Sequence, residues 1–213
     1  MGQDAAGKTA HAGVGRTRRP GRPRNPEIDR AILDSVGTIL DDVGYDGLTV
    51  EAVAARAGVG RQSVYRRWSS KSALVAASVL EGRVAPIIAP IPRTADLTSD
   101  LRAWFLERAK SWATSREASL VRGLSAAAAD DASTAAALYQ RLTGPDHDAL
   151  VDRMAVAQCS AEVRPDADLD AAATALIGGL LYLVLARHES VRPENANGLL
   201  EVVLGGILVR GVR

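Results

Sequence analysis

The sequence has very little of what secreted, metal-binding and membrane proteins depend on. Its 213 residues include 1 cysteine, Cys159, which excludes an internal disulfide framework and a cysteine-rich zinc site. The N-terminus has no apolar signal segment, and the longest nearly unbroken apolar stretch, residues 171–186, is shorter than the roughly 20 residues that cross a bilayer. We therefore expect a cytoplasmic protein with no membrane segment.

Catalytic motifs are also lacking. The chain has 3 histidines, and it has neither a glycine-rich phosphate loop ending in Lys-Ser/Thr nor a nucleophile elbow. The run Asp146-His147-Asp148 contains metal-ligand residue types, but consecutive residues on a helix point apart, so we interpret it as polar surface. We expect no catalytic residue, no metal site and no cofactor. An enzyme that uses a C-terminal cavity is the remote alternative.

What is present is an uneven distribution of charge. Residues 1–72 carry 12 Lys and Arg against 8 Asp and Glu, whereas residues 73–213 carry 14 against 17. Residues 16–24 contain five arginines and no acidic residue. Residues 1–24 as a whole are rich in Gly, Ala, Pro and Arg without apolar periodicity, which predicts a basic arm that is disordered by itself.

Apolar spacing predicts a helix directly after this arm. Asn25 suits the N-cap position and Pro26 the first helical position, and apolar residues then recur at helical spacing up to Val43. We expect Gly44 to end this helix, since glycine tolerates the conformation that terminates helices.

A tight pair of helices is predicted next. Thr49 is the expected cap of a short second helix, and Gly58 is expected to take the left-handed conformation in the turn that follows. A third helix is predicted in residues 61–68. Two short helices joined by a glycine turn form a helix-turn-helix.

The rest of the chain also has helical periodicity. Ser70 and Lys71 open a fourth helix, and prolines at 86, 90 and 92 mark a boundary. Beyond it we expect an interruption near Gly144-Pro145 and two closing apolar helices, at about 169–186 and 194–209. No alternating strand pattern occurs, which predicts an all-α fold. The predicted divisions are an arm at 1–24, a three-helix helix-turn-helix domain at 25–84 and a helical domain at 94–213.

Two segments resemble a known family. The sequences GYDGLTVEAVAARAGV at 44–59 and VYRRWSSK at 64–71 look like the DNA-binding domain of the TetR (tetracycline-repressor) family, with a resemblance that spans residues 27–80. It implies a homodimeric repressor that leaves a palindromic DNA operator when a small-molecule effector binds the C-terminal domain. The alternatives are control by a protein partner or by abundance, and activation in place of repression.

The resemblance implies DNA contacts on the second to fourth helices. Arginine and glutamine on the third helix suit base edges in a major groove, whereas other positions suit phosphates. The predicted contacts are Thr49, Arg61, Gln62, Ser63, Tyr65, Arg66, Arg67 and Lys71. The alternative is a solvated polar face. Gly60 departs from the family pattern, because many members have Ser or Thr there to cap the recognition helix.

The arginines of the arm are candidates for a second DNA contact. Arg18, Arg19, Arg22 and Arg24 resemble a hook that enters a narrow A·T-rich minor groove beside the major-groove site. The alternative is a tail that only increases solubility.

The closing helices are the candidates for dimerisation. Two-fold partners on a palindrome supply affinity that one helix in one groove rarely provides. The final helices carry many apolar positions, and the predicted interface residues are Leu176, Leu180, Leu183, Leu200, Val203, Leu204 and Ile207. The alternative for each is an ordinary place in the core.

A ligand pocket is implied in the C-terminal domain. Arg108 shares a helical stripe with aromatic and apolar residues, so it is a candidate anchor for an anionic or polar group. The alternative is an arginine that extends to the surface. The predicted pocket residues are Trp104, Phe105, Arg108, Trp112, Tyr139 and Tyr182.

Overall fold

The structure is a computed structural model that describes residues 25–84, 90–186 and 193–209. The described residues form ten α-helices and one π-helical turn without a β-strand, which confirms the predicted all-α class. The helices are α1 Pro26–Gly47, α2 Val50–Arg56, α3 Arg61–Tyr65, α4 Lys71–Leu80, α5 Leu97–Ala113, α6 Ser115–Asp130, α7 Ala132–Leu138, α8 Gly144–Cys159, α9 Leu169–Ala186 and α10 Pro193–Ile207. The basic arm lies outside the described residues.

The first helix begins where its sequence predicts and is interrupted at Gly44, its predicted end. The side chain of Asn25 accepts a hydrogen bond from the backbone N–H of Glu27 at 3.0 Å, with Pro26 in the first turn. Gly44 has a φ of 71°, which interrupts the regular helix and leaves one short turn up to Gly47. A left-handed φ of this kind favours glycine, because a Cβ would be strained there.

The helix-turn-helix also follows the sequence signals. Thr49 Oγ1 accepts a hydrogen bond from the N–H of Ala52 at 3.1 Å and caps α2. Gly58 has a φ of 67° in the turn between α2 and α3. No side chain caps α3, because Gly60 occupies its N-cap position. This matches the departure from the family pattern noted above.

An N-terminal head formed by α1 to α4 has its own apolar core. Ile32, Val36, Val53 and Leu74 are fully buried in it. Leu124 and Ala127 of α6 and Leu138 of α7 belong to the same cluster. The head therefore packs on α6 and α7, and its core continues past the loop predicted to separate two domains.

A second apolar core lies among α5, α8, α9 and α10. Five of the predicted dimer-interface residues, Leu176, Leu180, Leu200, Leu204 and Ile207, are buried in it within a single chain. Their assignment to a dimer interface is wrong, because side chains enclosed by their own chain do not reach a partner. Leu183 and Val203 are half-buried against this core.

The helical region around Gly144-Pro145 is modified rather than broken. A π-helical turn, Tyr139–Thr143, separates α7 from α8 without ending the helical path, so the regular α-helix is interrupted at the predicted place. Pro145 lacks an N–H, and its ring would clash with the carbonyl four residues earlier in a regular α-helix. The wider turn accommodates the proline without ending the helical path.

A buried ion pair joins the start of α5 to α8. Arg153 Nη2 lies 2.7 Å from Asp100 Oδ2, and both side chains are almost fully buried. Burial alone would raise the pKa of Asp100, but hydrogen bonds from Thr94 and Arg153 outweigh it and lower the pKa. The pair fixes one end of the second core.

The penultimate helix α9 is long and apolar enough to cross a membrane by length and composition. Core helices of soluble proteins pass the same test, and one side of α9 packs in the second core. The packing of α10 on α9 is close, because Leu199 lies where a Cβ on Gly179 would be.

The other sides of α9 and α10 are exposed, and we call them the outer face. It consists of Ala171, Thr174, Ala175, Gly178, Tyr182 and Leu185 of α9 and of Gly198, Val202, Gly205 and Gly206 of α10. A Cβ added at Gly178 or Gly198 would meet nothing within 4 Å. Small and apolar residues thus cover most of this surface. At its edges it contacts the described chain, through Thr174 with His147 and through the Gly206 carbonyl with Arg164.

The end of α1 is held by a side chain of α6. Arg116 Nη2 donates to the backbone carbonyls of Leu40 and Asp41. These carbonyls lie in the last regular turn before Gly44, where helices leave acceptors without backbone partners. The guanidinium therefore serves as a C-terminal cap supplied from outside the head.

Two further contacts join the same elements. Ser119 Oγ donates to Asp46 Oδ2 at 2.5 Å. The ring of Tyr45 lies against the backbone of α6 at Gly123, where an added Cβ would come within 2.3 Å of ring carbons. α6 and the end of α1 thus form one continuous contact.

We predict that Gly123→Ala destabilises the protein. Alanine gains about 1 kcal/mol of helix propensity, but overpacking against Tyr45 costs about 1–3 kcal/mol, so we expect a net loss of roughly 1 kcal/mol. Urea unfolding at fixed protein concentration measures it. Ala126→Ser, on the exposed side of α6, is the control and should change stability by less than about 0.5 kcal/mol. A Gly123→Ala variant as stable as the wild type would contradict the prediction.

Candidate nucleic-acid interface and adjoining cavity

The third helix presents a polar face to solvent. Arg61, Gln62, Tyr65 and Arg66 are exposed on it, and Thr49 is exposed at the start of α2. The Thr49 oxygen accepts the capping hydrogen bond, so its hydroxyl proton is available to an acceptor such as a phosphate. Exposure leaves these five predicted contacts accessible to DNA.

Arg61 is oriented by its neighbours. Its Nε lies 2.8 Å from Glu51 Oε1, and its guanidinium carbon lies 5.2 Å from the centre of the Tyr65 ring. A hydrogen bond with Tyr65 and the charge of Glu51 raise the pKa of Arg61. Both partners are exposed, so the arrangement orients the guanidinium without removing it from solvent.

Arg66 and Arg67 point to different surroundings. Arg66 Nη2 donates to Ser63 Oγ at 3.2 Å on the exposed face. The side chain of Arg67 is only 14% exposed and forms an ion pair with Asp29 of α1. Its Nη1 also donates to the carbonyl of Ser63 at 2.8 Å. The prediction of an outward Arg67 is wrong, because this side chain joins α3 to α1.

Lys71 connects the fourth helix to the end of α1. Its Nζ lies 4.4 Å from the centre of the Tyr45 ring and 3.4 Å from the carbonyl oxygen of Asp46. Burial lowers the pKa of Lys71 and raises that of Tyr45. The Lys71 ammonium is thus positioned by the same residues that contact α6.

A cavity of about 550 Å³ lies between the head and the C-terminal helices. This volume falls within the roughly 300–1,000 Å³ typical of small-molecule sites. Its wall combines residues of α1 and α4 with residues of α5 to α9. The lining residues are Leu40, Asp41, Gly44, Tyr45, Val79, Val84, Arg108, Trp112, Arg116, Glu117, Leu120, Val121, Leu124, Ser125, Ala128, Ala135, Leu138, Tyr139, Leu142, Thr143, Asp146 and Leu181.

Three predicted pocket residues, Arg108, Trp112 and Tyr139, line this cavity. The other three do not. Trp104 and Phe105 are packed in the second core, and Tyr182 is 67% exposed on the outer face. Their assignment to the pocket is wrong. Helical periodicity shows which residues share a face of a helix, but it does not show what that face packs against.

The charge of Arg108 is already matched inside the protein. Its guanidinium forms an ion pair with Asp146 of α8, and both side chains are less than 10% exposed. Burial raises the pKa of Asp146, and the adjacent Arg108 opposes that effect. Asp146 was expected at the polar surface, and Arg108 either at the surface or beside a ligand anion. Instead the two form an ion pair with each other in the cavity wall.

Several lining residues were missed from the sequence. Tyr45, Arg116 and Glu117 belong to α1 and α6, which are far apart in the chain and meet only in the folded structure. Tyr45 lay inside the recognised motif, but its neighbours gave no sign of a cavity.

Comparison with known families covers both parts of the structure. The profile described as "Bacterial regulatory proteins, tetR family" matches residues 32–78. The profile described as "Tetracyclin repressor-like, C-terminal domain" matches residues 91–203, more than half of the chain. The chain belongs to the TetR family. This TetR-family protein is a DNA-binding transcriptional regulator with a helix-turn-helix head and a helical C-terminal domain.

Individual relatives agree with the family. The HTH-type transcriptional regulator YdeS of Bacillus subtilis (strain 168) is 26% identical over 187 residues, which are 88% of this chain and 93% of YdeS. Rv1556 of Mycobacterium tuberculosis (strain ATCC 25618 / H37Rv), also an HTH-type transcriptional regulator, is 43% identical over 82 residues, or 38% of each chain.

Solved structures share the fold along most of the chain. The TetR family transcription regulator SCO0332 is 26% identical, with a TM-score of 0.57 over 86% of this chain and 100% of its own. Thermus thermophilus FadR in complex with lauroyl-CoA is 20% identical, with a TM-score of 0.60 over 86% of this chain and 97% of its own.

We predict opposite consequences for two adjacent arginines. Arg66→Ala should weaken operator binding about tenfold without loss of stability, because a DNA contact is commonly worth 1–3 kcal/mol. Arg67→Ala should lower the free energy of unfolding by about 2 kcal/mol, because it leaves Asp29 half-buried and unpaired. Fluorescence anisotropy on an operator selected from random duplexes and urea unfolding measure the two effects. If Arg67→Ala lost operator binding without losing stability, the assignment of Arg67 to the contact with Asp29 would be contradicted.

Proposed function

We propose that this TetR-family regulator is a homodimeric repressor that leaves a palindromic operator when a small molecule occupies the cavity. The observation that carries the proposal is the shared wall of the cavity. Leu40, Asp41 and Tyr45 of the head line it together with residues of the C-terminal helices. A ligand there touches the DNA-binding head directly. Since its target is DNA, we infer a cytoplasmic location.

A short chain of contacts leads from the cavity to the DNA face. Tyr45 lines the cavity, and the Lys71 ammonium lies over its ring. Arg116 lines the cavity and holds the carbonyls at the end of α1. A ligand that displaces Tyr45 or Arg116 therefore changes the position of α1 and of Lys71, a predicted phosphate contact.

The required coupling is modest in energy. A ligand shifts the equilibrium only by its difference in affinity for the two arrangements of the heads. A difference of about 1–3 kcal/mol changes operator affinity by roughly 5- to 150-fold. A few contacts at the end of α1 supply energies of this order. The fold accommodates a ligand in Thermus thermophilus FadR, which was solved in complex with lauroyl-CoA.

The outer face of α9 and α10 supports the dimer. Val202 is 74% exposed and Leu185 is also exposed, beside glycines that leave room for close approach of another helix. Contiguous apolar surface of this kind commonly marks a protein interface. A two-fold contact across it forms a four-helix arrangement and holds two recognition helices for two half-sites.

We predict that Val202→Glu converts the dimer to a monomer. A buried, unpaired carboxylate on each side of a two-fold interface is strongly unfavourable. Sedimentation velocity at micromolar concentration measures the oligomeric state. Val43→Glu, on an exposed valine of α1, is the matched control and should remain dimeric. A monomeric wild type, or a dimeric Val202→Glu variant, would sink the proposed interface.

We predict that filling the cavity abolishes the ligand response. A metabolite library is screened by thermal stabilisation, since a ligand at 100 times its dissociation constant adds about 2.7 kcal/mol. Hits that also release operator DNA should lose both effects in Ala128→Trp, because Ala128 lines the cavity. Ala129→Trp changes the next residue, which is exposed, and should retain both effects.

Two results would count against ligand control. A hit that acts equally on Ala128→Trp binds elsewhere. A library without any compound that releases the operator favours control by a protein partner or by abundance. Whether operator binding represses or activates is tested separately by a reporter gene behind the selected operator.

A further inference from the structure

The cavity contains more carboxylates than cationic groups. Five charged residues line it: Asp41, Arg108, Arg116, Glu117 and Asp146. Arg108 and Asp146 form an ion pair with each other. The remaining three residues carry one positive and two negative charges. The rest of the wall is mostly apolar.

Both arginines of the wall already have partners within the chain. The guanidinium of Arg108 is engaged with Asp146 in a buried pair. The guanidinium of Arg116 donates to the carbonyls of Leu40 and Asp41 at the end of α1. An anionic ligand that displaced Asp146 from Arg108 would leave a buried carboxylate unpaired, which is costly.

The two remaining carboxylates are differently placed. Glu117 is half-buried near the start of α6 and Asp41 is exposed at the edge. Within the described residues neither side chain has an ion-pair partner. Trp112 and Tyr139 line the same space. Aromatic faces attract cations, and so do half-buried carboxylates.

We propose that the effector is a lipophilic cation, a mostly apolar molecule of drug size that carries one amine or ammonium group. The apolar wall accepts its body, and Glu117 with the aromatic rings of Trp112 and Tyr139 receives its charge. This inference rests on the proposed function of the cavity as the effector site, and it adds the charge of the effector.

Three probes with the same tail and different head groups test the charge preference. Decyltrimethylammonium, decan-1-ol and decyl sulfate are titrated into the full-length protein by calorimetry, each below its micelle concentration. We expect the cation to bind at least about tenfold more tightly than the sulfate, with the alcohol between them. A partly exposed ion pair and a cation–π contact together supply a difference of this size. Equal or tighter binding of the sulfate, or no binding of the cation, overturns the proposal.

Two matched variants locate the effect. Glu117→Gln should remove most of the difference in affinity between the cation and the sulfate, and it should leave the affinity of the alcohol unchanged. Glu107→Gln, an exposed glutamate of α5 outside the cavity, should change neither. Binding of the cation that survives Ala128→Trp, or equal behaviour of the two glutamate variants, also overturns the proposal.

Operator release, measured with the same probes, separates this inference from the proposed function. If the alcohol and the cation bind equally in an Ala128-dependent manner and release DNA, the charge preference fails and ligand control stands. If the cation binds selectively but no probe that occupies the cavity releases DNA, ligand control fails and the charge preference stands.

Discussion

The contact between α6 and the end of α1 is the interaction on which the rest of the structure depends. Gly44 interrupts α1, and Arg116 of α6 donates to two carbonyls of the turn before it. The last carbonyls of a helix need hydrogen-bond donors from outside that helix. A residue of the C-terminal domain supplies such a donor to the head. The two parts of the regulator therefore do not behave as independent bodies joined by a loop.

The same contact explains where the cavity lies. The head packs on α6 and α7 through Leu124, Ala127 and Leu138, and α5 and α8 belong to a different core. The space between the two cores is lined by both and filled by neither. Close packing normally eliminates such space, because unfilled volume forfeits dispersion contacts. The cavity at the junction of the head and the C-terminal domain is therefore the site that we propose for a ligand, because residues of both parts line it.

The closing helices illustrate a second constraint. α9 is apolar around most of its circumference, and only one side of it packs in the second core. A helix that is apolar all round requires neighbours on more than one side. Within the chain, α10 covers part of it and approaches closely at Gly179. The remaining outer face is the surface that we propose for contact with a second copy of the chain.

The sequence by itself determined the elements with local causes. Caps at Asn25, Thr49 and Ser70, the left-handed glycines at 44 and 58, and helical periodicity were sufficient to predict the helix-turn-helix and the all-α class. Each of these signals acts within a few residues, through one hydrogen bond or one backbone angle. The exposed positions of the recognition helix follow from the same periodicity.

Only the tertiary structure decided which neighbour each side chain meets. Periodicity placed Leu176 and Leu200 on apolar faces but did not distinguish the core of one chain from an interface between two. It placed Arg108 on a stripe but did not reveal Asp146, which is 38 residues away in the chain. Arg67 faces α1 rather than solvent for the same reason. The cavity has no signature in the sequence, because its wall is assembled from helices that meet only after the chain has folded.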